Sequence, residues 1–256
     1  MVLQALSVRC NIEDMKNMAV FGLALLLALP VSAFDPFDGK IIALDAGHGS
    51  SVSDTGAPNQ KYGVIEADVN WDVVAALEVK LKGLGAEVVI ADRLPTRKDR
   101  VNDAIAKCAE FDLNNDGAGD KCDVLVSIHH NGSTDLAYDG TLTIYNEKKD
   151  KPLAEKMLAA LTPLTGNGDG LLHGGYGMTV YGNIISVITE AYYITNDCEA
   201  ELYLYSKGQL TDTEVSSQCK TGVYALENRI DREVQLQVNG LSDYFSSSTG
   251  GKGRNK

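Results

Sequence analysis

The stretch LDAGHGSSVSDTGAPNQKYGVIEADVN, residues 44–70, leaves an apolar run at Gly47-His48-Gly49, crosses a polar loop and reaches Glu66 where a helical pattern opens. Just upstream, KIIALD (40–45) is apolar, short and bounded by turn residues, which reads as a buried strand. Downstream, Val69, Val73, Leu77, Leu81 and Leu84 recur at helical spacing, Gly85 supplies the stop, and AEVVIAD (86–92) reads as a second strand. Strand, helix, strand is the grammar of a parallel pair joined by a crossover. Farther out, DVLVSIH (123–129), GTLTIY (140–145) and NIISVITE (183–190) have strand character, while 150–162 and 223–245 have helical character. Three of the five strands are apolar almost throughout, so both their faces are covered. The expectation is a single α/β domain, a mainly parallel or mixed twisted sheet with helices on both faces.

The chain has 256 residues and a formal net charge of -12, without a basic stripe, which excludes a nucleic-acid backbone as partner. Met15-Lys16-Asn17-Met18, the apolar run AVFGLALLLALP and the small residues ending at Ala33 read as an export signal over 1–33. Residues 1–14 fit no signal, so translation starting at Met15 or Met18 is a second reading of that end. The apolar run is shorter than the roughly 20 residues of a spanning helix, so no membrane span is expected in the mature chain. Residues 34–245 then form the folded domain, and 246–256 (SSSTGGKGRNK from 246) a disordered tail. Export to the periplasm or the extracellular space permits disulfides, and of the three pairings open to Cys108, Cys122, Cys198 and Cys219 the two local ones, 108 with 122 and 198 with 219, are favoured. Four buried thiols are the alternative.

His48 follows the first strand, His129 closes VLVSI and Glu190 closes ISVIT, so all three fall at carboxyl ends of strands, where α/β sheets bind ligands. Glu66, at the start of a helix, can fold back onto that edge. Two neutral imidazoles and a carboxylate with one position open are the donor set of a catalytic zinc, and a further carboxylate can move protons. Spacing alone equally admits histidines that are simply satisfied structural residues.

The words around these residues carry more. LDAGHG, GVIEADVN, VSIHHN and ISVITEAYYITN occur in order and resemble the zinc-dependent N-acetylmuramoyl-L-alanine amidases of type 3, which cleave peptidoglycan; the resemblance spans about residues 39–203 and resumes weakly at REVQLQVNGLSDYF. It implies that His48, Glu66 and His129 hold zinc, that Glu190 is the catalytic carboxylate, and that the bond cut joins N-acetylmuramic acid to L-alanine of the stem peptide. Two alternatives stay open: a zinc peptidase acting within the stem peptide, and a non-catalytic, calcium-dependent wall-binding protein on the same scaffold. Around the core set, His130 is expected on the opposite strand face and His173 in a glycine-rich loop. Arg93 and Arg100 are expected in structural ion pairs, and Asn131 and Asn70 either orient ligands or serve a turn and an exposed helical turn.

A second motif, DLNNDGAGDKCD (112–123), sets Asp112, Asn114, Asp116, Gly117, Asp120 and Asp123 at positions 1, 3, 5, 6, 9 and 12 of a calcium loop and resembles the thrombospondin type 3 calcium repeat, Cys122 included. An acidic solvated hairpin stapled by a disulfide is the alternative. The chain also departs from the amidase pattern: Tyr192 and Tyr193 stand where glycine and phenylalanine are usual, which is expected to reshape the cleft rim, and 204–229 reads as an insertion. Between Tyr145 and Ile184 there is little room for the helix that blocks some division amidases, so an activator is not expected to be required.

Overall fold

Strand β1 (Ile41–Ala46) is buried at every residue and has a parallel neighbour on each side, β4 (Glu87–Ile90) and β5 (Val124–Asn131). The computed structural model describes residues 35–247; the export signal expected over 1–33, and the expected tail beyond Ser247, lie outside them. Among the described residues the main sheet has six strands in the order β4-β1-β5-β8-β6-β7. β8 (Ser186–Tyr193) continues the parallel set, β6 (Thr141–Tyr145) runs antiparallel to it, and β7 (Gly168–His173) pairs parallel with β6 at the edge. A two-residue hairpin, β2 (Pro58–Asn59) with β3 (Val64–Ile65), lies in the loop that the opening stretch encodes.

Alternation along β1 builds two cores. Ile42 and Leu44 face Val69, Val73 and Leu77 of α1 (Glu66–Gly83), together with apolar residues of α3 (Lys151–Leu161) and α5 (Arg229–Ser246). Ile41 and Ala43 face the other way, onto Val101, Ala104 and Cys108 of α2 (Arg97–Cys108). Helices on both faces explain why β1, β5 and β8 are apolar almost throughout.

Both local disulfides are present, Cys108–Cys122 and Cys198–Cys219. A loop of the first size contributes about 3 kcal/mol in the chain-entropy model. The second ties α4 (Asp197–Ser206) to the loop before α5, where Val215, Leu210, Tyr224 and Leu226 form a small satellite core. The expected insertion over 204–229 therefore begins inside α4 and ends at the first residue of α5. Beneath it Arg229, fully buried, donates from Nε to Glu199 (2.6 Å) and from Nη2 to the Leu164 carbonyl (2.9 Å).

Several elements differ from expectation. α2 is capped by Thr96, whose side chain accepts from Asp99 N, but its sequence RKDRVNDAIAKC is mostly polar, with a short apolar stripe at Val101, Ala104 and Cys108. α4 buries Glu199 and Glu201, which breaks the polar-outside pattern. β7 occupies the segment expected as a glycine-rich loop, because an edge strand needs few apolar residues. α5 starts at Arg229 rather than 223, at an N-cap made by Asn228 to Asp231 N.

Candidate metal centre and active site

Beyond β1 the chain turns at Gly47, whose amide donates to Ile128 O at 2.9 Å. His48 takes a left-handed conformation, φ 61°. Its Nδ1–H donates to Asp54 Oδ1 at 2.8 Å, which leaves Nε2 as a lone pair directed at Glu66 Oε2, 3.3 Å away. The hydrogen bond from His48 is the main reason that Asp54 is held down to about 2.

Glu66 opens α1, where the exposed amides of a helix N-terminus favour negative charge. Its Oε2 accepts from Ala57 N (2.9 Å), and Oε1 accepts from the His130 amide and Asn70 Nδ2 (3.3 Å each) and faces His129 Nδ1 at 2.9 Å. Burial pushes its carboxyl up, but His129, His48 and the Ala57 amide outweigh it and bring it down to about 2. His48, Glu66 and His129 each offer one ligand atom, and these atoms lie within 4.8 Å of one another. The cradle is tight: a Cβ on Gly47 would fall 2.3 Å from the His129 ring, and one on Gly56 2.3 Å from Glu66 Oε2. Two imidazoles around one ionised carboxylate at this spacing fit a tetrahedral zinc with a position to spare.

Glu190 pairs in register with His129 across the parallel β5–β8 ladder. Neither strand ends there, since β5 continues to Asn131 and β8 to Tyr193 with a register shift after His129. One carboxylate oxygen of Glu190, Oε2, is buried without a hydrogen-bond partner. Burial raises its pKa to about 7; the Glu66 charge adds to the rise and His129 opposes it. The sheet thus gathers all four residues of the expected set.

Behind them lies a buried polar chain. His130, on the opposite face of β5 as expected, has one ring nitrogen 2.7 Å from Asn70 Oδ1 and the other 2.9 Å from Glu233 Oε2. Asn70, fully buried rather than exposed on a first turn, passes its own hydrogens to Gly47 O (2.9 Å) and Glu66. Arg100 makes the expected ion pair, Nη2 to Asp45 Oδ1 at 2.6 Å. Arg93 does not; it donates to the Ala67 carbonyl and lies over the Trp71 ring at 5.0 Å. Asn131 serves a turn, accepting from Gly132 N, and His173 sits exposed at the sheet edge with Nε2 2.7 Å from Asn146 O. Tyr192 is not at the rim: it is fully buried, with its ring 4.3 Å from that of His130. Tyr193 is partly exposed and meets Tyr138 edge-on at 4.9 Å. Sequence reading missed Asp54 and Glu233. The first had a signal, a carboxylate six residues after a histidine in the same loop; the second had none, being one acid in an amphipathic helix.

In the acidic loop, Asp112 accepts from the amides of Asp116 and Gly117, Asn114 accepts from Asp116 N, and Asp120 accepts from Leu113 N across the loop. Asp123 turns away, accepting from Ile41 N at 2.8 Å at the start of β1.

A cavity of about 230 Å³ opens onto His48, Asp54, Arg100 and His129, and a wider groove lies beside it, with Pro95 and Arg97 lining both. Residues 42–215 match the N-acetylmuramoyl-L-alanine amidase family. The uncharacterized protein YqiI of Bacillus subtilis (strain 168) is 31% identical over 194 residues, covering 73% of this chain and 85% of that protein. The N-acetylmuramoyl-L-alanine amidase LytC of the same organism is 27% identical over 198 residues, covering 73% of this chain but 36% of LytC. Among solved structures, the catalytic domain of CwlV, an N-acetylmuramoyl-L-alanine amidase from Bacillus (Paenibacillus) polymyxa var. colistinus, superposes with a TM-score of 0.58 at 25% identity, over 80% of this chain and 97% of that one. A family match over most of the sheet, and a relative above 30% identity along most of both chains, agree with the geometry of the cleft: the chain belongs to the N-acetylmuramoyl-L-alanine amidase family.

Proposed function

We propose that this amidase hydrolyses the bond between N-acetylmuramic acid and L-alanine in peptidoglycan, with zinc held by His48, Glu66 and His129 and with Glu190 moving the proton. The observation that carries this reading is the convergence of two imidazoles on one buried carboxylate, beside a second carboxylate whose pKa is raised to about 7. Zinc, when bound, supplies a Lewis acid for the scissile carbonyl and a means of acidifying water. Asp54 holds the His48 ring so that a nitrogen lone pair faces the centre, and the Ala57 amide fixes one oxygen of Glu66. Glu190 takes a proton from the attacking water and returns it to the departing alanine nitrogen, which cannot leave as an amine anion. A carboxyl with a pKa near the working pH is suited to both transfers.

The test is digestion of purified peptidoglycan by zinc-loaded protein, with products identified by mass. Intact stem peptides released from muramic acid are expected, and stems cut internally would instead support the peptidase reading. Removing the metal with a chelator is expected to abolish turnover and zinc to restore it; turnover that survives complete demetallation would overturn the metal assignment. No activator is included, because we infer an enzyme active by itself, acting outside the cytoplasm. The two disulfides support the export reading, since such bonds persist in oxidising compartments.

We also propose calcium in the 112–123 loop, with Asp112, Asn114, Asp116 and Asp120 as ligands and Asp123 limited to the oxygen not bonded to Ile41 N. What supports it is the calcium-loop spacing of Asp112, Asn114, Asp116 and Asp120 around a turn at Gly117, φ 81°. Because Asp123 anchors β1, the strand that leads to His48, calcium is expected to raise Tm by several degrees over calcium-free buffer, and Asp116→Ala to remove that increment. Equal Tm with and without calcium would reject the site.

A further inference from the structure

The cavity at the metal centre and the groove beyond it share Pro95 and Arg97 as lining, so the two lie side by side. The acids in the cavity are already matched, Asp45 with Arg100 and Asp54 with His48. The groove, about 520 Å³, is lined by Arg97, Lys98, Gly177, Val180 and Tyr181 among others, and no carboxylate faces it. Arg97 and Lys98 are exposed, and among the described residues neither has an ion-pair partner. Both occupy the first turn of α2, the end of a helix where the macrodipole disfavours cations. Arg97 is also held in place: a Cβ on Gly177 would fall 2.1 Å from its Cδ, so its stem lies flat on the turn at Gly177–Thr179. In a chain of net charge -12, two unmatched cations beside the reaction centre, at positions unfavourable to their own helix, call for a counter-charge from outside.

We propose that Arg97 and Lys98 form a subsite for a carboxylate on the peptide arm of the substrate, with Val180 and Tyr181, both exposed, as the apolar floor beneath the peptide. The inference rests on the function proposed above. The chemistry of that substrate selects the arm. The scissile amide uses up the carboxyl group of muramic acid, so the acetylated sugar side is uncharged, and the free carboxylates lie on the peptide. An anionic wall polymer is the other source of negative charge that such a groove could meet.

The experiment uses zinc-loaded protein and two soluble N-acetylmuramoyl peptides that differ only at the peptide C-terminus, a free carboxylate in one and a carboxamide in the other. Neither carries a wall polymer. The expected result is a wild-type preference for the free acid of about tenfold in kcat/KM, expressed in KM and shrinking as salt rises. Arg97→Glu combined with Lys98→Glu is expected to bring that preference to one or below. The same change places acids at a helix N-terminus, so Tm is expected to stay level or rise; a purely structural role for the two cations would lower it. Arg97→Gln with Lys98→Gln provides a second variant without reversed charge, expected to give an intermediate preference. An unchanged preference in both double variants, or no preference in the wild type, overturns the subsite. Anionic wall polymer that inhibits wild type but not the variants, with no preference between the two peptides, assigns the groove to the polymer instead. Failure of the wild type to cleave either peptide overturns the amidase reading itself, and binding of the two peptides measured by calorimetry then tests the subsite separately.

Discussion

Glu190→Gln is expected to lower kcat on peptidoglycan by about 10²- to 10⁴-fold, the usual contribution of a positioned acid–base group, while zinc content stays at one per chain. Glutamine keeps the volume of the side chain between β5 and β6 but can neither accept the water proton nor deliver it to the leaving nitrogen. Folding is expected to survive, because Glu190 Oε2 has no hydrogen bond to lose and the substitution removes a charge held next to Glu66. The decisive comparison is kcat against bound zinc in the same preparation. A variant that loses zinc in proportion to activity would place Glu190 among the ligands, and one with wild-type kcat would exclude it from proton transfer.

Glu233→Ala is expected to be the most destabilising single change in the neighbourhood of the site, although Glu233 touches no candidate ligand. It leaves a ring N–H of His130 facing an empty acceptor position in the interior, where both residues are fully buried. Leaving a buried donor without its partner costs about 1–3 kcal/mol. In a domain of this size that corresponds to a fall in Tm of roughly 5 °C. The damage also reaches the metal. His130 fixes Asn70, and Asn70 fixes Glu66 and the Gly47 carbonyl, so a loosened chain is expected to weaken zinc binding by about 10- to 100-fold, as loss of outer partners does in metal sites. Glu233→Gln keeps an acceptor for the ring and is expected to restore most of the stability and zinc affinity. Competition with a chromogenic chelator reads the affinity and thermal unfolding reads the fold. Wild-type values of both in Glu233→Ala would end the argument for a positioning chain.

How well each residue was legible follows from how local its signal is. His48, His129 and Glu190 lie at or near the carboxyl ends of parallel strands, which share one edge of an α/β sheet, and Glu66 stands where the helix after the first loop begins. The strands were readable for the same reason: burial on both faces demands apolar residues at successive positions. Helix α2 was hidden because its buried apolar stripe is only Val101, Ala104 and Cys108, with Arg100 buried beside it, and β7 because an edge strand with three glycines or charged residues in six resembles a loop. Asn70 admits two readings in the sequence because its position in the first turn of α1 looks solvent-facing until β1 and β5 are laid against that turn; it is buried and holds Glu66.

By itself, then, the sequence pointed to the α/β class, favoured the two local disulfides and, through the motifs around them, marked the four polar residues that meet at one edge, since each motif is written within a few residues of chain. Tertiary structure alone decided that His130 reaches Glu233 across 103 residues, that Arg93 lies on Trp71 instead of pairing with an acid, that Tyr192 is buried, and that Arg97 and Lys98 face the groove. Those outcomes depend on which helix packs against which strand, and no local pattern encodes the partner of a buried polar atom: the same hydrogen-bonding demand is met by whatever group the packed fold brings within about 3 Å.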